Sequence, residues 1–256
     1  MGKVPLLSVE ITNILALCAV ATLAAGLAGW IVMTLRRSPF TPAQSLLYAV
    51  NYSLARILWR AKIHGDFRIP PGQGAVVVCN HRCPLDPSFL QMAVPRAIHW
   101  MVAKEYCEYP GFRQLLRLCE VIPVRRGAVD PAAVRAAIRL VQRGALVGMF
   151  PEGRINTSEQ LLLPGRSGAA LIALKARAPI VPCYVHGAPY NGTTLGCLLM
   201  PAAVRLEIGE PIDVSPYLDS GDARHAQEEL TRRLMRELAR LAGRPDFEPQ
   251  LGGRFD

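Results

Sequence analysis

The stretch AVVVCNHRCPLDPSF (residues 75–89) decides how this chain folds. Its first five residues are apolar and rich in valine, which is typical of a strand buried on both faces. Beyond them, His81 and Asp86 stand five residues apart, and Pro84 and Pro87 exclude a continuous helix between them. We therefore predict a turn after the strand, leading into a helix that begins near Pro87 with Asp86 as its cap.

A compact turn of this kind can bring the Asp86 carboxylate back onto the His81 imidazole. The carboxylate would then fix the ring's tautomer and stabilise its protonated form, leaving the other nitrogen free to take a proton from a hydroxyl. Reactive groups in α/β sheets gather beyond the carboxyl ends of strands, where His81 falls. Taken alone, however, the pair is better explained by a helix cap and a polar loop residue.

Strands and helices alternate along the chain from Ile69 onward. We predict strands at residues 75–79, 97–103, 120–126, 145–150, 180–187 and 204–209, and helices at residues 130–144, 165–178 and 222–243. The first of these helices has Asp130 as its cap, Pro131 in its first position and Gly144 after its end. This alternation predicts an α/β fold with a central, largely parallel mixed sheet flanked by helices.

The N-terminal region contains an uncharged stretch between Glu10 and Arg36. Its core, residues 14–35, would extend about 33 Å as a helix, enough to cross a bilayer. Arg36 and Arg37 follow at once, and the positive-inside rule places that end in the cytoplasm. A cleaved signal peptide is the alternative, but its apolar run would be shorter and its basic residues would precede the run. We therefore predict a retained transmembrane helix.

Residues 44–65 follow with the pattern of an amphipathic helix. One face carries Leu47, Val50, Leu54 and Leu58, and the basic residues Arg56, Arg60 and Lys62 lie near the end. The pattern suits a helix on the membrane surface and equally a helix packed on the domain. The predicted organisation is an anchor and linker (residues 1–43), this helix (44–65), an α/β domain (66–243) and a loose tail (244–256).

Composition bounds the partners of this chain. Hydrophobic residues make up 51% of its 256 residues, and the formal net charge is +9. A basic protein commonly binds nucleic acid or an anionic lipid surface, and the apolar content favours a phospholipid bilayer and no nucleic acid. The seven cysteines show neither a CxxC pair nor structural zinc spacing. We therefore predict free thiols in a reducing compartment and no metal site.

Two further motifs place charged groups at predicted strand ends. In FPEGR (residues 150–154), a tight Pro-Glu-Gly turn would present Glu152 and Arg154 at the edge of the sheet. In VIPVRRG (residues 121–127), two arginines follow the strand, and arginine forks match phosphate oxygens in bidentate fashion. Either motif alone could be a solvated strand end. Together with His81 they gather a base, a carboxylate and several guanidinium groups at successive strand ends.

These motifs and IVPCYV (residues 180–185) occur in the order, and at about the spacing, of the four sequence blocks of the glycerolipid acyltransferases. The chain resembles the bacterial 1-acylglycerol-3-phosphate acyltransferases, the PlsC-like family, over roughly residues 60–215. The resemblance implies an enzyme of phospholipid biosynthesis on the cytoplasmic side of the cell inner membrane. Such an enzyme binds no cofactor and moves a fatty acyl group from a thioester of coenzyme A or acyl carrier protein to a lysophospholipid hydroxyl.

Carried over by position, the resemblance implies that His81 is the general base and Asp86 its partner. It implies an acceptor site formed by Arg125, Arg126, Glu152, Gly153 and Arg154, with Arg166 as a further cation. This chain departs from many members in two places. Cys83 stands where they have serine, and Arg154 follows Gly153 directly, one position earlier than usual. The acceptor is therefore 1-acylglycerol-3-phosphate or another lysolipid.

Two other functions are weighed against acyl transfer. A thioesterase or lipase would need a nucleophile; GxSxG is absent, but Cys83 lies close to His81 in sequence. A non-catalytic scaffold would bind anionic lipids through its arginines and consume no thioester. The four matched blocks favour direct transfer without a covalent acyl-enzyme, with backbone N–H groups near the helix start stabilising the oxyanion.

Overall fold

The computed structural model describes residues 38–126, 130–190, 192–193 and 196–252, together with the isolated positions 22, 26 and 29. The chain divides into two units, residues 1–45 and 46–256, and the sheet lies in the second. The predicted transmembrane helix at residues 14–35 lies outside the described residues, apart from those three positions. Within the described ranges, none of the helices has the length and apolar character needed to span a bilayer.

The elements follow one another in the predicted alternation. The strands are β1 (Lys62–His64), β2 (Ala75–Cys79), β3 (Ile98–Ala103), β4 (Ile122–Val124), β5 (Leu146–Met149), β6 (Ile180–His186) and β7 (Arg205–Ile208). The α-helices of residues 38–252 are α1 (Pro42–Ile57), α2 (Asp86–Ala93), α3 (Lys104–Glu108), α4 (Phe112–Leu118), α5 (Pro131–Gln142), α6 (Gly168–Ala176) and α7 (Ala223–Leu241). Short 3-10 helices occupy Gly196–Leu199 and Ser215–Tyr217.

All seven strands form one mixed sheet in the order β1-β7-β6-β2-β5-β3-β4. Strands β6, β2, β5, β3 and β4 run parallel to one another, whereas β7 is antiparallel to β6 and pairs in parallel with β1. The predicted largely parallel mixed sheet is thus confirmed. Because parallel strands end at the same edge, the loops that follow β2, β4 and β5 all leave the sheet on one side.

The central strand β2 is buried along its whole length, as its unbroken apolar run predicts. Val76 and Val78 face a core formed with residues of α5, α6 and α7. Ala75, Val77 and Cys79 face a second core formed with residues of α1 and α2. Helices therefore cover both faces of the sheet, and the end of β2 is held between two packed layers.

The predicted amphipathic helix at residues 44–65 is shorter than expected. Helix α1 ends at Ile57, and Lys62–His64 form the edge strand β1. Lys62 N donates to Val204 O, and Val204 N donates to Trp59 O, both at 3.0 Å. These backbone hydrogen bonds hold the residues after α1 at the edge of the sheet. The strand was not predicted because three residues are too few to show an alternating pattern in the sequence.

The C-terminal tail, predicted to be loose at residues 244–256, is ordered as far as Gly252, the last described residue. Phe247 packs against the core, Pro249 is buried, and Leu251 forms a β-bridge with Gly165. These contacts were not predicted, because a single bridge between positions far apart in the chain produces no periodic pattern.

Candidate active site

The turn after β2 joins His81 to Asp86. The His81 Nδ1 atom lies 2.9 Å from Asp86 Oδ2, and the same oxygen accepts the backbone N–H groups of Arg82 at 2.7 Å and Cys83 at 2.9 Å. The carboxylate is fully buried, whereas 16% of the imidazole is exposed. Since a carboxylate only accepts, Nδ1 carries the hydrogen. The other ring nitrogen, Nε2, is left to accept a proton.

Asp86 does not cap α2, contrary to prediction. Leu85 occupies the cap position, and no side chain there accepts a hydrogen bond. Ser88 N already donates to Leu85 O at 2.9 Å, and Pro87 has no N–H to offer. The Asp86 carboxylate therefore turns backward to the donors of the preceding turn, which is what places it against the imidazole.

An aromatic stack fixes the plane of the His81 ring. The Phe150 ring lies parallel to the imidazole, with centroids 3.8 Å apart and planes inclined by 6°. Trp100 stacks behind Phe150 at 4.9 Å. Phe150 was missed as a site residue, although its place as the first residue of FPEGR, directly after β5, was an available signal. The stack restrains rotation of the ring while leaving the hydrogen bond to Asp86 intact.

Glu152 lies beside the backbone of His81. Its Oε1 accepts His81 N at 2.8 Å and its Oε2 accepts Leu163 N at 2.9 Å, while only 3% of the residue is exposed. Burial raises the pKa of the Glu152 carboxyl, and the two backbone donors oppose that rise. Both oxygens thus face the protein, and the carboxylate ties the His81 turn to the loop that ends at Leu163.

Arg82 is a second site residue that sequence reasoning missed. Its two Nη atoms donate to four backbone carbonyls at 2.5 to 3.3 Å, those of Asn156, Ser158, Gln160 and Leu161. In return, Asn156 N donates to His81 O at 2.7 Å. The planar guanidinium therefore holds the loop after FPEGR against the turn that carries His81. The only sequence signal was a cation directly after the candidate base.

The predicted arginines stand at the same edge of the sheet. Arg125 and Arg126 are exposed after β4, and Arg126 lies over the Tyr106 ring at 5.3 Å. Arg154 is exposed in the loop after β5. In the sheet, β3 lies between β5 and β4. Arg166 packs onto Gly153, where an added Cβ would lie 3.0 Å from Arg166 Nε. In the part of the chain that the structure describes, none of these four guanidinium groups pairs with a carboxylate.

Cys83, the candidate for a rival nucleophile, is fully buried. Its Sγ accepts Leu85 N at 3.3 Å, and burial raises the pKa of the thiol far above its usual value. A cysteine nucleophile acts as the thiolate, which this environment disfavours. The geometry therefore opposes a Cys–His nucleophile. Among the residues described, no group of three or more His, Cys, Asp and Glu side chains is placed to hold a metal ion.

Comparisons with known proteins agree with this site. The family model described as Acyltransferase matches residues 60–186. A 1-acyl-sn-glycerol-3-phosphate acyltransferase of Bacillus subtilis is 30% identical over 180 residues, covering 69% of this chain and 87% of that protein. A protein of the same description from Cocos nucifera is 29% identical over 148 residues, covering 56% of this chain and 47% of the relative.

Similarity to a solved structure extends over most of the chain. The crystal structure of PlsC, the 1-acyl-sn-glycerophosphate (LPA) acyltransferase of Thermotoga maritima, matches with a TM-score of 0.59. The match covers 90% of this chain and 97% of that one at 21% sequence identity, so it establishes a common fold.

The fold and the His–Asp site define an acyltransferase, which is an enzyme class that the family model also identifies. The chain belongs to the PlsC-like acyltransferase family, as the sequence motifs predicted.

Replacing Arg82 tests these hydrogen bonds to the loop after FPEGR. We expect Arg82→Lys to lower kcat about tenfold or more, because a lysine ammonium cannot reach four carbonyls spread along one loop. The control is Arg68→Lys at an exposed ion pair, which should leave kcat unchanged. Full activity of Arg82→Lys would show that the loop holds its position without the guanidinium.

The Cys83→Ser substitution separates the two mechanisms. We expect this variant to keep activity within a few-fold, because the thiol takes no part in direct transfer. Under native conditions iodoacetamide should leave Cys83 unmodified in peptide mass spectrometry, while the less buried Cys107 and Cys119 react. A loss of more than about 100-fold in Cys83→Ser would support a covalent acyl-enzyme.

Proposed function

We propose that this protein transfers a fatty acyl group from an acyl thioester to the free hydroxyl of 1-acylglycerol-3-phosphate, forming phosphatidic acid. The proposal rests on the hydrogen bond from His81 Nδ1 to Asp86 Oδ2, which leaves Nε2 available as a base. The activity for which the Bacillus subtilis relative is named supports this choice of acceptor. The donor is a thioester of coenzyme A or of acyl carrier protein.

In this reaction one proton moves from the acceptor hydroxyl to His81 and then from His81 to the leaving sulfur. His81 Nε2 removes the proton of the acceptor hydroxyl, and the oxygen attacks the carbonyl carbon of the thioester. The tetrahedral intermediate then loses the thiolate as the C–S bond breaks, and His81 returns the proton to the sulfur. Asp86 stabilises the imidazolium between these steps, as the carboxylate does in hydrolase triads.

The oxyanion of the intermediate needs donors other than those of the His81 turn. The backbone N–H groups of Arg82 and Cys83 are already bonded to Asp86, so they are not free to bind a second oxygen. The expectation that N–H groups near the start of α2 would serve stays a prediction. Arginine side chains at the edge of the sheet are suitable alternatives, because they carry several donors and a positive charge.

The acceptor's phosphate is assigned to the arginines. Guanidinium groups without a carboxylate partner retain their capacity for bidentate bonds to phosphate oxygens. Arg154 follows Gly153 in the sequence and the Arg166 side chain packs on Gly153, in the loop that Glu152 ties to His81. A phosphate held there would bring the neighbouring glycerol hydroxyl toward the base. A different lysolipid phosphate is the alternative acceptor, and Arg125 and Arg126 remain candidates for a longer head group.

We also propose that the enzyme works on the cytoplasmic face of the inner membrane. Leu46, Val50, Leu54 and Ile57 of α1 are 68%, 49%, 40% and 79% exposed, and their spacing places them on one helical face. Such an exposed apolar stripe is typical of a helix that rests on lipid. The predicted transmembrane helix and the following Arg36 and Arg37 support the same orientation.

Thiol release from acyl-coenzyme A is the direct test of the activity. Detergent-solubilised protein is incubated with the donor, with and without 1-acylglycerol-3-phosphate. We expect release that depends on the acceptor, and His81→Ala should lower it by about 1,000-fold or more, because the base that removes the hydroxyl proton is lost. Asp86→Asn should also lower it, while circular dichroism shows both variants folded.

Each other outcome has a defined meaning. Release that is independent of the acceptor would indicate a thioesterase. Release that depends on another lysolipid would correct the head group. Substantial acceptor-dependent activity in His81→Ala would overturn the assignment of the base.

The membrane proposal has a separate test. In a Cys107→Ser, Cys119→Ser background, a fluorophore on an Ile57→Cys variant should be quenched by brominated lipids when the protein is in anionic vesicles, because that position faces lipid. A fluorophore on Arg224→Cys, at the exposed start of α7, is the control and should remain unquenched. Equal quenching, or none at position 57, would contradict the orientation.

A further inference from the structure

The last described residues of the chain return to the edge of the active site. Gly165 N donates to Gln250 O at 2.8 Å, and Gly252 N donates to Gly165 O at 3.0 Å. Both backbone groups of Gly165 are thus satisfied by the C-terminal segment Phe247–Gly252, which forms a parallel bridge there through Leu251. The segment is itself anchored by Phe247, which packs on the core, and by the buried Pro249.

Gly165 lies in a space that admits no side chain. A Cβ at this position would meet Met235 Cγ of α7 at 2.6 Å. The backbone at Gly165 is therefore confined between α7 on one side and the C-terminal segment on the other. Contacts from α7 and from the C-terminal segment therefore hold Gly165 in position.

The next residue, Arg166, connects this fixed point to FPEGR. Arg166 N donates to Pro151 O at 2.8 Å. Its side chain lies over Gly153, where an added Cβ would be 3.0 Å from Nε and 3.1 Å from Cδ. On its other side, a Cβ at Gly252 would lie 3.7 Å from Arg166 Cγ. The Arg166 stem is therefore held between the FPEGR turn and the end of the C-terminal segment.

The segment holds Arg166 without neutralising it. Glu248, the acidic residue within Phe247–Gly252, is directed to Arg236 at 3.6 Å. A free arginine side chain loses considerable rotamer freedom when it binds an anion, and a stem that is already packed loses less. Contacts to the stem alone thus prepare the guanidinium for a ligand and keep its charge available.

We infer that the C-terminal segment Phe247–Gly252 is a positioning element of the acceptor site. It fixes Gly165 so that Arg166 presents its guanidinium beside Gly153 to the phosphate of the lysolipid. This inference rests on the proposed function, in which that phosphate is bound at the FPEGR turn. Arg166 binds the acceptor, and the C-terminal segment acts through it.

A matched pair of substitutions tests the contact in the full-length protein. Gly252→Pro removes the N–H that donates to Gly165 O, whereas Gly252→Ala keeps it and places its Cβ 3.5 Å from the nearest atom, Pro164 O. We expect Gly252→Pro to raise KM for 1-acylglycerol-3-phosphate on the order of three- to tenfold, the effect of ordering one long side chain. The KM for acyl-coenzyme A should be unchanged, and Gly252→Ala should stay within about twofold of wild type.

A second comparison shows whether the effect passes through Arg166. In an Arg166→Gln background, Gly252→Pro should raise the acceptor KM no further, because coupled residues do not contribute additively. A full additional effect, an equal rise in the donor KM, or no rise in the acceptor KM would each overturn the inference.

Hydrogen exchange gives a readout that does not depend on activity. A peptide spanning residues 164–167 should exchange faster in Gly252→Pro than in Gly252→Ala, because the bridge that protects Gly165 is weakened. Equal exchange would overturn the contact itself. Failure of the proposed function is a separate outcome. If the wild type transfers acyl groups to no phosphate-bearing acceptor, both the proposed function and this inference are overturned, even if hydrogen exchange shows that the C-terminal segment contacts Gly165.

Discussion

One buried carboxylate oxygen organises the site. Asp86 Oδ2 accepts hydrogen bonds from the imidazole of His81 and from two consecutive backbone N–H groups, all between 2.7 and 2.9 Å. The backbone bonds close the turn, and the imidazole bond sets the tautomer of the base. The same atom therefore determines both the shape of the loop after β2 and its chemistry. Burial on both faces of β2 supplies the rigid support that such a turn requires.

The loop after β5 completes this arrangement from the neighbouring strand. Glu152 accepts from His81 N, Arg82 donates to four carbonyls of the loop, and Phe150 stacks on the imidazole. Parallel pairing of β2 with β5 makes these contacts feasible, because both loops leave the sheet at the same edge. Charged groups with internal partners hold the backbone, whereas Arg125, Arg126 and Arg154, which have no carboxylate partner among the described residues, are exposed. The positions of Glu152 and Arg154, two residues apart, illustrate this division.

The sequence predicted those features that arise from local pattern. Apolar runs located β2, β3, β5 and β6, and the prolines around Asp86 indicated a turn that could return the carboxylate to His81. Features set by single long-range contacts could not be predicted. The bridge between Gly165 and Leu251, the pairing of β1 with β7, and the Arg82 hydrogen bonds each involve only a few residues and leave no periodic pattern. The direction of Asp86 was missed because helix caps and turn acceptors use the same residue types.

The central claim is that Asp86 holds the His81 imidazole with its hydrogen on Nδ1 and a free lone pair on Nε2. Nitrogen-15 NMR of histidine-labelled protein measures this directly, and the chain has only 5 histidines, so comparison with His81→Ala identifies the signal. Under conditions where the imidazole is neutral, we expect a protonated Nδ1 and an unprotonated Nε2. A ring protonated on Nε2, or an even mixture of tautomers, would contradict the account, because the nitrogen directed toward the acceptor could then not remove its proton.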